Sequence, residues 1–178
     1  MRSDARRNRE RVLAAAIEAF AAEGLAVSVH EIARRAGVGT GTVSRHFPTK
    51  QDLYEAIVLE RVGQLVEHAR SLGETLGPGE AFFEFFAYLV REGGTNHGLA
   101  DALAGAGFDA EAAASGSGDD VIEALRRLLT AAQRARVVRR DVDVADVKAL
   151  IVGCLARPGD DAAARDRMIA VVTAGLRR

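Results

Sequence analysis

The chain has a single cysteine, no tryptophan and only three prolines among its 178 residues. The lone cysteine, Cys154, cannot form an intrachain disulfide. A chain without disulfides is typical of a reducing compartment. The sequence has no run of about 18 apolar residues that could span a bilayer, and its arginine-rich start has no apolar signal core. We therefore expect a cytoplasmic protein that does not bind a membrane.

The residue groupings of a catalytic or metal site are also missing. The four histidines are scattered, and neither Cys154 nor any serine has a histidine at the spacing of a nucleophile and its base. The glycines of Gly37–Gly41 follow a predicted helix and lack the Gly-Lys-Ser/Thr ending of a phosphate loop. The acidic run Asp141–Asp146 does not fit a calcium loop, because its sixth position is not glycine and its twelfth is Val152. We expect no enzyme activity, no metal and no cofactor.

What the chain does have is alanine, leucine and valine in abundance, without the alternation of a strand. This composition predicts an all-α fold. Charge is unevenly distributed, since residues 1–50 carry nine Arg and Lys against five acids, a net +4, whereas the whole chain is −1. A basic first third followed by an acidic remainder favours one end that faces nucleic acid and one that does not.

The segment Val27–Leu53 predicts two short helices joined by a tight turn and followed at once by a third. Ser28 and Glu31 have the spacing of a capping box at the start of the first helix. Gly37 is predicted to end that helix, because glycine adopts the left-handed conformation of a helix C-terminus at the lowest energetic cost. Pro48 ends the second helix, and Thr49 with Asp52 caps the third as Ser28 and Glu31 cap the first.

The second short helix has two distinct faces. Val43 and Phe47 lie on one side, where they can pack on Ile32 and Ala36 of the preceding helix. The other side carries small or hydrogen-bonding residues. A short helix with one apolar stripe and such an outer face suits a DNA major groove.

The sequence AGVGTGTVSRHFPTKQDLYEAI, with RERVLAAAIEAFAAEGLAVSVHEIARR before it, resembles the DNA-binding domain of the TetR family of transcriptional regulators. The resemblance covers roughly residues 9–57. It rests on the Gly24-Leu25 helix stop, the Ile-Ala-x-x-Ala-Gly-Val turn and the run Arg45–Lys50. One departure concerns Ser44, where the family commonly has a tyrosine that stacks against the DNA backbone.

The resemblance implies a homodimeric repressor with about nine helices. A helix-turn-helix DNA-binding domain would occupy residues 1–48, and a ligand-binding and dimerisation domain residues 49–178. Its partners would be double-stranded operator DNA, a second copy of the chain and a small apolar organic effector. The predicted DNA-binding residues are His30, Thr40, Gly41, Thr42, Ser44, Arg45, His46 and Lys50.

Beyond the DNA-binding pattern, glycines divide the predicted helices. Residues 1–8 are expected to form a mobile arm in solvent, the alternative being that Arg6 or Arg7 reaches phosphate or the minor groove of bound DNA. A long helix is predicted from Thr49 to about Leu72. The loop Gly73–Gly79 and the pair Gly93-Gly94 are expected to interrupt the chain, and Phe108–Gly118 to be flexible. The other predicted helices are Glu80–Glu92, Gly98–Gly107, Asp120–Val138 capped by Asp119, Val144–Ala156 capped by Asp143, and Asp161–Leu176.

Aromatic residues are concentrated in the predicted helix Glu80–Glu92, where Phe82 and Phe85 are expected in the core. Phe83 and Phe86 lie at i and i+3 and could line a cavity, although a solid core is the alternative. Many glycines and alanines nearby leave space for a ligand. The predicted effector residues are Phe83, Phe86, Val90, His97, Leu99, Leu103, Leu125 and Leu128.

The last two predicted helices each carry an apolar or small stripe that no later element covers. We expect these stripes to form a four-helix bundle with a second copy, the alternative being that they close the core of one chain. The predicted dimer residues are Val147, Ile151, Cys154, Met168, Val172 and Gly175.

Two other functions fit parts of the pattern. A helical interaction protein could bind an acidic partner through its basic end, without DNA. A non-specific DNA-binding protein would have similar affinity for any duplex and a steep salt dependence. Neither would need a ligand-controlled switch.

Overall fold

The chain is helical in the part that the structure describes. This structure, a computed structural model, describes the backbone of residues 2–24, 26–105, 121–156 and 161–178, and the side chains of these residues except 2, 3, 21 and 94–105. The predicted all-α fold is confirmed, and the eight helices of the described residues are close to the expected nine. They are α1 (Arg2–Glu23), α2 (Val29–Ala36), α3 (Thr40–His46), α4 (Lys50–Thr75), α5 (Pro78–Gly105), α6 (Val121–Arg134), α7 (Val144–Leu155) and α8 (Ala162–Leu176). None of these helices is both long enough and apolar enough to cross a membrane.

Contacts divide the chain into two units. Unit 1 comprises Met1–Arg61 with Asn96–Ser117, and unit 2 comprises Val62–Thr95 with Gly118–Arg178. Helix α4 therefore begins in unit 1 and ends in unit 2. The domain boundary between residues 48 and 49 stays a prediction, since the division by contacts falls within α4, between Arg61 and Val62.

Unit 1 has its own hydrophobic core, built from α1, α2, α3 and the first turns of α4. Val12, Leu13 and Phe20 of α1 are at most 2% exposed, and Phe20 meets the ring of Tyr54 edge-on at 5.5 Å. The expectation of a mobile arm is wrong, because α1 already begins at Arg2. Carboxylates one turn from the arginines there stabilise the extra turns by ion pairing.

Helix α5 is continuous across Gly93-Gly94, so the predicted break there is wrong. Glycine lowers helix stability by about 1 kcal/mol but does not forbid a helix, and packing can override this preference. At Gly93 the packing is evident: an added Cβ would lie 2.8 Å from Cδ1 of Leu155 on α7. The missing side chain lets α5 and α7 approach closely. Helix α4 likewise passes its predicted end at Leu72 and continues to Thr75.

Unit 2 has a second core, in which the aromatic residues of α5 are central. Phe82, Phe85 and Phe86 are fully buried, and Leu125 and Leu129 of α6 pack in the same cluster. The prediction that Phe82 and Phe85 belong to the core is therefore confirmed.

The C-terminal residues pair with the connection between α6 and α7. Helix α6 ends at Arg134 rather than Val138, because Arg136 adopts a left-handed conformation with φ 60°. Val138 and Arg177 then form an isolated antiparallel β-bridge. This bridge fixes the end of α8 against the core of unit 2.

The predicted cap of α7 is present, and α8 is also capped, by Asp161, which the sequence places inside the helix. The Asp143 carboxylate accepts from the N–H groups of Ala145 and Asp146, and Asp146 completes the capping box. The Asp161 carboxylate accepts from the N–H of Ala164 at 3.1 Å. The predicted cap Asp119 and the segment Phe108–Gly118, for which we predict flexibility, lie outside the described residues.

Candidate nucleic-acid interface

Helix α3 is held from one side only. Val43 is 1% exposed and Phe47, which follows the helix, is 5% exposed; both belong to the core of unit 1, as do Ile32 and Ala36. The opposite side of α3 lies in solvent, and this exposed face carries Thr40, Gly41, Ser44 and Arg45. The apolar face that the sequence predicts for this helix is thus buried, and the polar face is exposed.

The turn before α3 depends on a glycine. Gly37 has φ 63°, which side chains other than glycine rarely adopt, and its N–H group continues the hydrogen bonding of α2. Arg11 of α1 donates from Nη2 to the carbonyl oxygen of Gly37 at 3.2 Å. A Cβ at Gly37 would lie 2.6 Å from this guanidinium nitrogen. Arg11 therefore braces the turn that sets the direction of α3.

Helix α2 begins with the predicted cap, in which Ser28 accepts from the N–H of Glu31 at 3.2 Å. The Glu31 carboxylate accepts from Arg34 at 2.7 and 2.8 Å and from Arg35 at 2.7 Å. Hydrogen bonds from Arg34, then from Arg35, lower the pKa of Glu31 from 4.5 to about 2. Arg35 also pairs with Glu23 of α1. Arg35 thus joins α2 to α1, whereas Arg34 pairs with Glu31 within α2.

Lys50 lies in the first turn of α4, where the predicted capping box is present. The Asp52 carboxylate accepts from the N–H and the hydroxyl of Thr49, and the N–H of Asp52 donates to the Thr49 hydroxyl at 3.1 Å. These hydrogen bonds lower the pKa of Asp52. The capped helix start positions the exposed Lys50 immediately after the corner that follows α3.

The eight predicted DNA-binding residues fall on three adjoining elements of unit 1. His30 is exposed in the first turn of α2, and Lys50 in the first turn of α4. Thr42 and His46 are half-buried on α3, and the His46 ring lies 6.3 Å from that of Phe47. The other four lie on the exposed face of α3. Their contacts with DNA remain a prediction.

Two arginines of α1 that lie close to the two ends of α3 were not among the predicted site residues. Arg11 holds the turn, and Arg9 places its guanidinium 5.4 Å from the centre of the Phe47 ring. In the sequence both are simply charged positions on the outer face of α1. Only the fold brings them to the two ends of α3.

Comparison with known proteins agrees with this geometry. Residues 12–57 match the family model "Bacterial regulatory proteins, tetR family", and residues 77–178 match "Transcriptional regulator SbtR-like, C-terminal domain". The chain belongs to the TetR family. It is a helix-turn-helix transcriptional regulator, as the resemblance in its first third implies.

Solved TetR structures resemble the whole chain. A TetR regulatory protein from Mycobacterium vanbaalenii is 51% identical over 99% of both chains, with a TM-score of 0.84. A TetR regulator from Streptomyces coelicolor is 33% identical over 95% of this chain and 98% of that one, with a TM-score of 0.75. A transcriptional regulator from Staphylococcus aureus (strain USA300) is 34% identical over 73 residues, which are 40% of each protein. The last likeness thus spans less than half of the curated relative.

In this TetR-family chain, the predicted effector residues that can be located lie in or beside the core of unit 2. Phe86, Val90 and Leu125 are at most 1% exposed, and Leu128 is 8% exposed. Phe83 lines an open cleft of about 330 Å³, where the guanidinium of Arg177 lies 4.4 Å from the centre of its ring. The side chains of His97, Leu99 and Leu103 lie outside the described residues.

Two of the six predicted dimer residues do not lie on the open faces of α7 and α8. Val147 is fully buried and Cys154 is 2% exposed, because both pack in the core of their own protomer. The alternative that these stripes close the monomer core therefore holds for these two residues. Ile151, Met168 and Val172 are half-buried, and Gly175 is exposed. On α7 and α8, the large apolar side chains that face solvent are Val152, at 55%, and Val171, at 73%.

Proposed function

We propose that the protein is a homodimeric repressor that reads operator DNA with α3 and leaves it when a small organic molecule binds to unit 2. The observation that supports DNA reading is the exposed polar face of α3, opposite the buried Val43 and Phe47. Arginine at position 45 offers the planar donor pair that recognises guanine, and the hydroxyls of Thr40 and Ser44 can bond to several bases. Lys50 and His46 flank this face and supply contacts to phosphate.

Operator binding is tested by selecting duplexes from a random library with the purified protein. We expect a recurrent sequence with twofold symmetry, because a dimer presents two reading helices roughly 34–36 Å apart. Its affinity should exceed that for random duplex at least about 10³-fold at physiological salt. Equal affinity for all duplexes would favour a non-specific DNA-binding protein, and no binding to any duplex would favour an interaction protein.

Dimerisation is supported by apolar surface on the last two helices of unit 2. Val152 and Val171 are the most exposed large apolar side chains of the described residues. Small exposed residues lie on the same helix faces and would allow close helix packing. These neighbours are Ala149, Gly153, Ala156, Ala163, Ala170 and Ala174. We therefore place the proposed four-helix interface on this face, which lies next to the predicted stripes.

The effector proposal rests on unit 2, where aromatic residues adjoin an open cleft at Phe83. An apolar molecule bound there would need to favour the DNA-incompetent spacing of the reading helices by only a few kcal/mol to empty the operator. Helix α4 begins in the DNA-binding unit and ends in the effector unit, so a change in its tilt would carry the signal.

A thermal-shift screen of aromatic and lipophilic compounds tests whether unit 2 binds an effector. An effector should raise the melting temperature with its concentration and release operator DNA. Phe83→Leu and Phe86→Leu should each weaken both effects, whereas Phe20→Leu, a matched change in the core of unit 1, should weaken neither. An effector that is insensitive to both changes in unit 2 would place the pocket elsewhere.

A further inference from the structure

The four arginines of α1 whose side chains the structure describes have different surroundings. Arg6 pairs with Glu10 one turn later at 3.2 Å, and Arg7 pairs with Asp4 one turn earlier. Arg11 donates to the carbonyl oxygen of Gly37. The charges of Arg6 and Arg7 are therefore paired with carboxylates of the same helix, and Arg11 stabilises the turn before α3.

Arg9 differs from these three. The positions three and four residues away are Ala5, Arg6, Val12 and Leu13, so its own helix offers no carboxylate at pairing distance. Its guanidinium instead lies 5.4 Å from the centre of the Phe47 ring, and the residue is exposed. The ring is a fixed platform, because Phe47 is 5% exposed and anchored in the core of unit 1. A cation held against an aromatic face keeps its charge and its donors available to solvent.

The position of the Phe47 ring places the charge of Arg9 near the end of the proposed reading helix. Phe47 follows the last residue of α3, His46, and precedes the corner that leads to Lys50 in the first turn of α4. A reading helix in the major groove has sugar-phosphate backbone at its ends, and guanidinium groups bind phosphate oxygens in a bidentate manner. We propose that Arg9 is a phosphate-binding residue of the DNA interface, held in place by the ring of Phe47. This inference rests on the proposed binding of DNA by α3.

A purely structural role for Arg9 predicts a different result from a phosphate contact. Loss of packing against Phe47 would weaken binding by disturbing α3, without changing the number of counterions released. Loss of a phosphate contact lowers the slope of log K against log salt by about 0.9 for each contact. Since a dimer has two copies, the expected change is about 1.8.

The experiment measures this salt slope for four proteins on a selected operator duplex and on a random duplex. The proteins are the parent, Arg9→Gln, Arg9→Lys and Arg7→Gln. The Arg7→Gln variant is the matched control, because it removes the same charge from the same exposed helix at a residue that pairs with Asp4. Thermal unfolding of each protein checks that unit 1 remains folded.

We expect Arg9→Gln to lower the salt slope by about 1.8. Arg9→Lys should retain most of the parent's slope, and Arg7→Gln should have the same slope as the parent. A slope for Arg9→Gln equal to that of the parent, whether or not affinity falls, would overturn the inference. An equal loss of slope in Arg7→Gln would also overturn it, since the effect would then come from net charge alone. If the parent does not prefer its selected duplex, the proposed reading function fails, whereas the slope on random duplex still decides the role of Arg9.

Discussion

Glu31 is the residue at which charge and local structure are most closely linked in unit 1. Its carboxylate binds Arg34 and Arg35, and Arg35 continues to Glu23 of α1. The sequence identifies the capping position of Glu31 but not this network. A capping box is a local pattern, whereas the pairing of Arg35 with Glu23 depends on how α1 packs against α2.

The pH dependence of stability tests this network. The pKa of Glu31 is lowered to about 2 in the folded chain, so its contribution is complete above its ordinary pKa of 4.5 and is lost as the pH falls toward 2. Glu31→Gln should therefore lower the urea midpoint of unfolding at pH 7, and the difference from the parent should shrink between pH 4.5 and 2.

The control for this measurement is Glu80→Gln, which changes the net charge equally at an exposed position in unit 2. A deficit of Glu31→Gln that stays constant from pH 7 to pH 2 would contradict the assignment of the network to the ionised carboxylate.

At the level of helices, local rules predict the ends that local chemistry determines. The caps at Ser28, Asp52 and Asp143 follow from short-range hydrogen-bonding patterns and are present. The break predicted at Gly93 fails, because that glycine serves the packing of α5 on Leu155, which is distant in sequence. Local propensity cannot distinguish a glycine that ends a helix from one that allows close packing.

Two glycines in helices provide a matched test of this explanation. Gly63 of α4 is exposed, and an added Cβ would meet nothing within 4 Å, so Gly63→Ala should raise the free energy of unfolding by up to about 1 kcal/mol. At Gly93 the same change gains the same propensity but presses on Leu155. Gly93→Ala should therefore stabilise the protein less than Gly63→Ala, or destabilise it.

Removing the Leu155 side chain should restore the stabilisation that Gly93→Ala gains from helix propensity. In a Leu155→Ala background, Gly93→Ala should stabilise the chain by about as much as Gly63→Ala, as measured by denaturant unfolding. If Gly93→Ala were as favourable in the parent as in that background, Leu155 would not explain the continuous helix.

For the whole molecule, the sequence predicts two functional halves and a dimer, but two residues of its predicted stripe on α7 do not lie on the open face of that helix. Val147 and Cys154 have the spacing of an interface stripe and are buried in the protomer. A helix packed between its own core and a partner has apolar residues on both sides, so periodicity alone does not separate the two faces. Val152 and Val171 become distinguishable only once the exposed face is known.

Val171→Glu is the most direct change at the proposed dimer face, since 73% of this residue is exposed in one protomer. A charge there should not disturb the core of the protomer but should be buried without a partner in the dimer. We expect monomers by analytical ultracentrifugation, with helix content retained. Ala14→Glu, an exposed position on α1, is the control and should remain dimeric. A tight dimer of Val171→Glu would place the interface elsewhere.

The central claim is that the exposed face of α3 reads base sequence. The measurement that tests it most directly is the affinity of the parent, Arg45→Ala and Lys50→Ala for a selected operator and for its single-base-pair variants. Arg45→Ala should lose discrimination at one base pair in each half-site, where each mismatch costs the parent about 1–3 kcal/mol. Lys50→Ala should weaken binding to every duplex alike and keep the base preferences. If Arg45→Ala, while folded, retained the full base preference of the parent, α3 would not be the reading helix in the orientation proposed.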